Sequence, residues 1–326
     1  DKQMFTALLG YDVSTQQNYS VGVTPRTDVD TPVAFINTNI KNVTGAILTT
    51  GTSSKNEYVL DAFFGRLNYS FDRKYLLSTS IRRDRSSRFG PNNRTGIFPS
   101  VSAAWNVVEE SFMDKLNYIS AAKIRVSYGE TGNDRLSGSY PWLTTLNKAY
   151  YNFGTTDARV LTYAPGGFSN PNLGWEKNKQ VDVGLDLGFF LDRINLNIDL
   201  YERNSNTIIS ASIPTINGKS ASALQNIGNV RNRGLEITLG SKNFTGILNW
   251  QTDFNISFNR NKIIELNGEA KYFGDGSSYV RNYLGRPMSD IYAYRIVGTF
   301  NNAQDLTDYA KFGTQGIGDL RYDDVS

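Results

Sequence analysis

From Val181 to Phe189 the sequence runs Val-Asp-Val-Gly-Leu-Asp-Leu-Gly-Phe, apolar and polar in strict alternation. After a break at Leu191-Asp192-Arg193 it resumes as Ile-Asn-Leu-Asn-Ile-Asp-Leu-Tyr over 194–201. Successive side chains of a β-strand point to opposite faces, so each segment has one apolar and one polar face. The polar face carries Asp182, Asp186, Asn195, Asn197 and Asp199. A chain built from such hairpins must either stack its apolar faces together or turn them outward to lipid. That alternative governs everything that follows.

The same alternation, with β-branched and aromatic enrichment, predicts strands at about 3–13, 58–71, 75–84, 97–107, 122–130, 178–190, 194–204, 229–240 and 247–260. In the last, Leu248, Trp250, Thr252, Phe254, Ile256 and Phe258 share one face, against Asn249, Gln251, Asp253, Asn255 and Ser257 on the other. Each segment is about 9–14 residues, long for a globular strand but right for a tilted bilayer crossing. Short connections fall at 72–74, 191–193 and 241–246, with a medium one at 108–121. Long ones fall at 14–57, 85–96, 131–177 and 205–228. If each strand reverses direction, short links gather at one end and long links at the other, as in outer-membrane barrels. A β-sandwich or propeller has no reason to segregate them, and no repeat of fixed period is present. In the medium link, the spacing of Phe112 and Leu116 suggests one short periplasmic helix.

Composition removes several function classes. The chain has 326 residues, room for about two soluble domains, but no linker or charge block marks a boundary. A net charge of +3 makes no electrostatic case for nucleic acid. With no histidine and no cysteine, Ser-His-Asp and Cys-His triads, HExxH zinc sites and haem-histidine ligation are excluded. The mean hydropathy of −0.40 and the lack of a long apolar run exclude a transmembrane helix. They do not exclude a barrel, whose alternating strands keep the average low. Without a visible signal peptide at Asp1, the chain reads as processed, cropped or a fragment.

No catalytic motif survives inspection. Asn217-Gly218-Lys219-Ser220 ends like a phosphate-binding loop, but Ile213 stands where that loop requires glycine. Asp182 and Asp186 on one wet face are solvated or ion-paired wall residues more readily than a glycosidase pair. The basic run Arg82-Arg83-Asp84-Arg85-Ser86-Ser87-Arg88 reads either as surface ion pairs or as a rim. In the second reading Arg83, which continues the apolar face of Tyr75, Leu77, Thr79 and Ile81, lays its stem along lipid and contacts lipid phosphate. Tyr140, Trp142, Tyr150, Tyr151 and Phe153 crowd one long loop, as a ligand platform or, with more weight, as loop packing.

Several segments carry a family resemblance. These are Gly65-Arg-Leu-Asn-Tyr-Ser-Phe-Asp-Arg-Lys-Tyr-Leu-Leu, Arg82-Arg-Asp-Arg-Ser-Ser-Arg-Phe-Gly and Phe98-Pro-Ser-Val-Ser-Ala-Ala-Trp, then Lys123-Ile-Arg-Val-Ser-Tyr-Gly-Glu-Thr-Gly-Asn and Asn170-Pro-Asn-Leu-Gly-Trp-Glu. Asn226-Ile-Gly-Asn-Val-Arg-Asn-Arg-Gly-Leu-Glu and Gly318-Asp-Leu-Arg-Tyr-Asp-Asp-Val follow in order. Together they resemble the SusC/RagA-type TonB-dependent outer-membrane transporters of Gram-negative bacteria. The resemblance implies an all-β, transmembrane antiparallel barrel of about 22 strands with a plug in its lumen. About nine of those strands lie here, so residues 1–326 read as part of one barrel domain. Extracellular loops are expected near 14–57, 85–96, 131–177, 205–228 and 261–326, the last with Ile291–Phe300 as a further candidate strand. It implies a SusD-like surface lipoprotein as lid, energy from TonB through a segment absent from this chain, and oligosaccharide or peptide cargo. Arg85 stands where the family usually has glycine. The family's Asp-Val-Asn-Gly-Asp-Gly loop would begin at Asp324-Val325, but Ser326 replaces the asparagine, so no calcium site is carried over and no cofactor is expected.

The leading expectation is a non-enzymatic barrel wall for nutrient import in the cell outer membrane. Asp182, Asp186, Asp199, Asp253 and Asn255 then face the lumen, while Val183, Leu185, Leu196, Trp250 and Phe254 face lipid. A SusC-related barrel serving as a structural or interaction subunit, without active transport, is the alternative. A soluble β-rich hydrolase is the weaker third.

Overall fold

The period-2 segments fold as strands in a computed structural model that describes residues 2–25, 48–144, 146–153, 158–213, 221–266, 272–273, 280–291, 293–309, 311 and 313–323. In chain order the long strands are β1 (Gln3–Pro25), β2 (Leu48–Phe71), β3 (Tyr75–Ser86), β4 (Thr95–Asn106) and β5 (Ile119–Asn133). There follow β6 (Leu146–Phe153), β7 (Ala158–Pro165), β8 (Glu176–Phe189), β9 (Ile194–Ile213), β10 (Ala221–Phe244) and β11 (Trp250–Leu266). Nine of them form one antiparallel sheet in the order β1-β2-β3-β4-β5-β8-β9-β10-β11. β6 and β7 pair only with each other, as a hairpin within the β5–β8 connection. Each of the nine segments read from alternation is thus a strand of this sheet. Among the described residues no helix is long and apolar enough to cross a membrane.

Tight turns join the strands at one end. Asp72 and Arg73 both have left-handed backbone (φ 51° and 57°), the twist that suits two-residue hairpins. Phe190, Leu191 and Asp192 are three successive non-glycine residues with φ between 54° and 59°. Each costs about 1 kcal/mol or more, offset here by hydrogen bonds. The Ser120 hydroxyl donates to Asp192 Oδ1 (2.7 Å) and accepts from the Asp192 amide (3.0 Å).

Several boundaries differ from the sequence reading. β1 and β2 stay paired in unbroken register from Gln3↔Phe71 to Thr24↔Thr50, so half of the expected 14–57 loop is strand. β9 and β10 likewise absorb most of 205–228. The cause is that ladder hydrogen bonds need no polarity contrast. Once both faces are polar, alternation vanishes while pairing continues. The 108–121 link is not an α-helix. A 3₁₀ turn at Val107–Glu109 leads into successive i→i+3 turns (Met113 N to Glu110 O, Leu116 N to Met113 O), and Phe112 is exposed, with no core for a helical face to cover. The last hairpin turns at 245–249, so β11 begins at Trp250 rather than 247. Arg85 is an ordinary β3 residue opposite Asp61 and Thr95, absent from the left-handed set, so no glycine is needed there. Within Ile291–Phe300 a narrower segment, Ile296–Thr299, pairs with Leu320–Tyr322. Asn217–Ser220 and Asp324–Ser326 lie outside the described residues.

The sheet is a single layer, and its buried cluster sits at the end with the long connections. Phe89, Phe98, Leu173 and Trp175 pack there, with Phe98 edge-on to Trp175 at 5.4 Å between ring centres. Trp175 Nε1 donates to Arg94 O (2.9 Å), and the Gly90 amide donates to Leu173 O (2.9 Å). These bonds fix the Asn170–Trp175 loop against the β3–β4 turn.

Candidate functional site

The register aligns like residues across the whole sheet. On one face an apolar row crosses all nine strands: Phe5, Tyr69, Leu77, Ala103, Val126, Val183, Leu200, Leu235 and Phe258. The row nearer the tight turns runs Phe71, Tyr75, Trp105, Ile124, Leu185, Ile198, Ile237 and Ile256. Phe5, Leu200, Phe254 and Phe258 are each more than half exposed. Such a contiguous uncovered band is far larger than a soluble monomer exposes.

The opposite face is polar, and Arg125 on β5 is its centre. Its Nε and Nη2 donate to Asp186 Oδ2 and Oδ1 on β8, both at 2.8 Å. Nη2 also reaches Asp199 Oδ1 on β9 at 2.8 Å, and Asn197 donates to Asp186 Oδ1 at 2.8 Å. Between Arg125 and Asp199 the register places Gly184. A Cβ there would lie 2.5 Å from Arg125 Cζ and from Asp199 Oδ1. Glycine normally weakens a strand; here its missing side chain is the channel through which the guanidinium spans three strands.

Of the five wall residues nominated from sequence, Asp186 and Asp199 join this network. Asp182 lies one row further from the turns, between Ser127 and Tyr201, outside it. Asp253 and Asn255 share the polar face but stand apart near the β11 edge, Asp253 accepting from Gln251 Nε2 (3.1 Å). The centre of the network, Arg125, is marked in the sequence only by its polar position in Lys123-Ile-Arg-Val-Ser, a cation that needs carboxylates.

The loop aromatics divide. Trp142 packs on the buried cluster, with its Nε1 donating to Ser87 O (3.4 Å) and Arg94 over its ring at 5.5 Å. Tyr140 is 47% exposed, and Tyr150 and Tyr151 on β6 are each 61% exposed. Arg159 lies 4.8 Å above Tyr150. Arg83 is exposed on the apolar face between Phe63 and Ile97, at the end of that face remote from the tight turns.

At the tight-turn rim of the apolar face, Glu110 gathers three donors. They are the Tyr75 hydroxyl (2.8 Å), Trp105 Nε1 (3.1 Å) and Lys74 Nζ (3.1 Å). The Tyr75 hydrogen bond, then those of Lys74 and Trp105, hold the Glu110 carboxyl below its ordinary pKa, and the bond to Glu110 raises that of Lys74. Among the described residues no group of His, Cys, Asp and Glu is placed to hold a metal ion.

A family model described as "TonB dependent receptor-like, beta-barrel" matches residues 2–326. TonB-dependent receptor P3 of Formosa agariphila is 34% identical over 294 residues, 89% of this chain and 28% of that protein. TonB-dependent receptor SusC of Bacteroides thetaiotaomicron is 36% identical over 232 residues, 70% of this chain and 22% of that one. The chain thus spans about a quarter of the length of these curated relatives. Among solved structures, the RagAB peptide transporter is similar at a TM-score of 0.75 and 28% identity, covering 92% of this chain and 32% of that chain. The same importer in its "open-open" state gives a TM-score of 0.77 at 28% identity, with the same coverage. The outer membrane transporter YddB of Escherichia coli (TM-score 0.54, 10% identity, 89% of this chain and 36% of that chain) shares the fold alone.

Proposed function

The chain belongs to the TonB-dependent receptor-like β-barrel family, a family of receptors and not of enzymes, and from that premise we propose that it is part of the wall of an outer-membrane importer. The complete protein takes up a large nutrient, oligosaccharide or peptide, driven by TonB and received from a SusD-like surface lipoprotein. The observation that carries this reading is the apolar row that crosses nine strands without interruption and is left uncovered. Lipid is the solvent in which such a face is stable. Residues 1–326 then form one stretch of a single barrel domain, with the tight turns periplasmic and the long connections extracellular. Strands of up to 24 residues, against the 9–11 or so a bilayer needs, continue above the membrane as an extracellular collar.

In this reading Val183, Leu185, Leu196, Trp250 and Phe254 face lipid. Asp182, Asp186, Asp199, Asp253 and Asn255 face the lumen, where the Arg125 network keeps the wall polar and rigid. Arg83 lies at the outer rim, with its guanidinium at lipid phosphate. Tyr150 and Tyr151 present exposed ring faces to cargo or to the lipoprotein, while Trp142 serves packing. The likeness to the RagAB peptide importer favours peptide as cargo, and the relationship to SusC keeps the uptake-receptor class.

The test uses the complete protein in cells. Leu185→Cys should react with a bilayer-partitioning maleimide and Ser127→Cys only with a water-borne one. Labelled peptide or oligosaccharide should accumulate, and a protonophore should abolish accumulation. Aqueous labelling of position 185 overturns the orientation, and uptake indifferent to the protonophore overturns energised import.

A further inference from the structure

At the tight-turn end each turn is fastened to the next. Between the β2–β3 turn and the β4–β5 link, the Asn106 amide donates to Lys74 O (2.7 Å) and Asn106 Nδ2 to Arg73 O (3.2 Å), beside the Lys74–Glu110 ion pair (3.1 Å). Between that link and the β8–β9 turn, the Phe190 amide donates to Tyr118 O (2.8 Å). In the same gap the Ser120 hydroxyl is bonded twice to Asp192, at 2.7 and 3.0 Å. Between there and the β10–β11 turn, the Lys242 amide donates to Arg193 O (2.8 Å) and Arg193 Nη2 to Asn243 O (3.2 Å). Each of the three gaps between these four turns thus has a side-chain clasp beside its last backbone bond. Peeling a sheet from its end breaks one rung at a time, so resistance is set by the first rung and not by strand length. Within hydrocarbon a freed backbone group finds no partner, whereas at the rim water replaces the one it lost. The last rung at the wet edge is therefore the weakest point of the wall, and the clasps sit there. The left-handed run Phe190–Asp192 is strained, and its last residue supplies both groups that Ser120 binds.

We propose that the clasped turns form a hoop that keeps the periplasmic mouth of the barrel shut around its plug while TonB draws on that plug, an inference that rests on the reading of the complete protein as a TonB-driven importer with periplasmic tight turns. A pull from the periplasm loads the strand ends at this rim, because the plug bears on the wall as it moves. Asn106, Ser120, Asp192 and Arg193 matter chiefly under that load. At rest each contributes little, since its hydrogen bond is exposed and water competes for it. Under load each clasp has to break along with the adjoining rung. The strand ends then part less often, and the wall stays closed to solutes other than cargo.

The experiment uses the complete receptor in cells and follows entry of a dye too large for porins. Asn106→Ala/Ser120→Ala should admit dye roughly fivefold faster for each clasp lost, the change in opening frequency that one hydrogen bond supplies. That leak should vanish in cells that lack TonB or are treated with a protonophore. The heat-modifiable gel shift of the purified variant should stay close to that of wild type. A second variant, Ser120→Cys/Asp192→Cys, removes the clasp in a barrel already assembled. It should be tight when oxidised and leak in energised cells when reduced. No leak from either variant in energised cells overturns the proposal. An equal leak with and without TonB also overturns it, since the clasps would then be merely structural. Wild-type uptake separates the cases: if it requires TonB while both variants stay tight, this inference alone falls. If uptake is indifferent to TonB, the importer reading falls and the hoop with it.

Discussion

The two rims of the apolar band are charged in opposite senses and settled in opposite ways. At the tight-turn rim the anion Glu110 is satisfied within the protein, by Tyr75, Trp105 and Lys74. At the other rim Arg233 faces Arg260 and Arg231 faces Lys262, with Glu202 accepting from Arg233 Nε and from Asn204 Nδ2. Aromatic side chains with polar tips suit a membrane–water boundary, and the first rim uses them to close its own hydrogen bonds. The second sets cation against cation across the β10–β11 pair. The difference teaches that charge on a sheet surface is not one property. A charge with built-in partners holds strands together, and like charges set opposite one another push strands apart.

Arg125 on the polar face sets the scale for a strand arginine with built-in partners. Arg125→Ala leaves Asp186 and Asp199 without their cation. It should destabilise the barrel by about 1–2 kcal/mol, less than a fully buried pair would lose because water partly screens this one. The loss would be read from the heat-modifiable gel shift of the complete protein. Arg125→Lys should recover only part of it, since the bidentate fork is gone. Gly184→Ala should cost about 1 kcal/mol by displacing the same side chain, and much less when Arg125 is already alanine. Additive losses would mean that Gly184 does not serve the network. At the open rim, Arg260→Glu should instead stabilise by about 0.5 kcal/mol, by giving Arg233 a second anion. A destabilising Arg260→Glu would erase the contrast between the rims.

Much of this contrast is hidden in the sequence for a definite reason. Alternation exposes the nine strands and both faces, because a period of two is a local signal. The strand ends above the band carry no such signal: at Gln17 and Asn18 both faces are polar, yet β1 and β2 remain paired. Which charges meet is a matter of register, and register depends on irregularities such as the shift between Asn226 and Gly228. Nothing local in Arg-Asn-Arg at 231–233 says that Arg260 and Lys262 stand opposite. Gly184 looks like a weak point in a strand until Arg125 and Asp199 are placed on either side of it. Trp142, with several aromatic neighbours in its loop, gives no hint from sequence that it packs on the buried cluster while Tyr140, Tyr150 and Tyr151 stay exposed.

The smallest effect tests the closed rim. Glu110 has its pKa lowered in the folded state, mainly by the Tyr75 hydroxyl. Its contribution to stability is therefore present above the pKa of the unfolded carboxyl and is lost as pH falls through the lower folded value. Lys74, with its pKa raised, contributes below the unfolded amine pKa and loses that contribution at high pH. Glu110→Gln should then lower the unfolding midpoint slightly at neutral pH. The gap to wild type should close as pH falls through and below the ordinary carboxylate range, where the wild-type carboxyl also takes up its proton. Added salt should narrow the same gap at neutral pH, because Lys74 and Glu110 attract through screened solvent. At the open rim salt should act with the opposite sign, raising the midpoint of wild type relative to Arg260→Gln by screening repulsion. A salt response of one sign at both rims would mean that Arg233 and Arg260 do not repel. The open rim would then be an ordinary solvated surface.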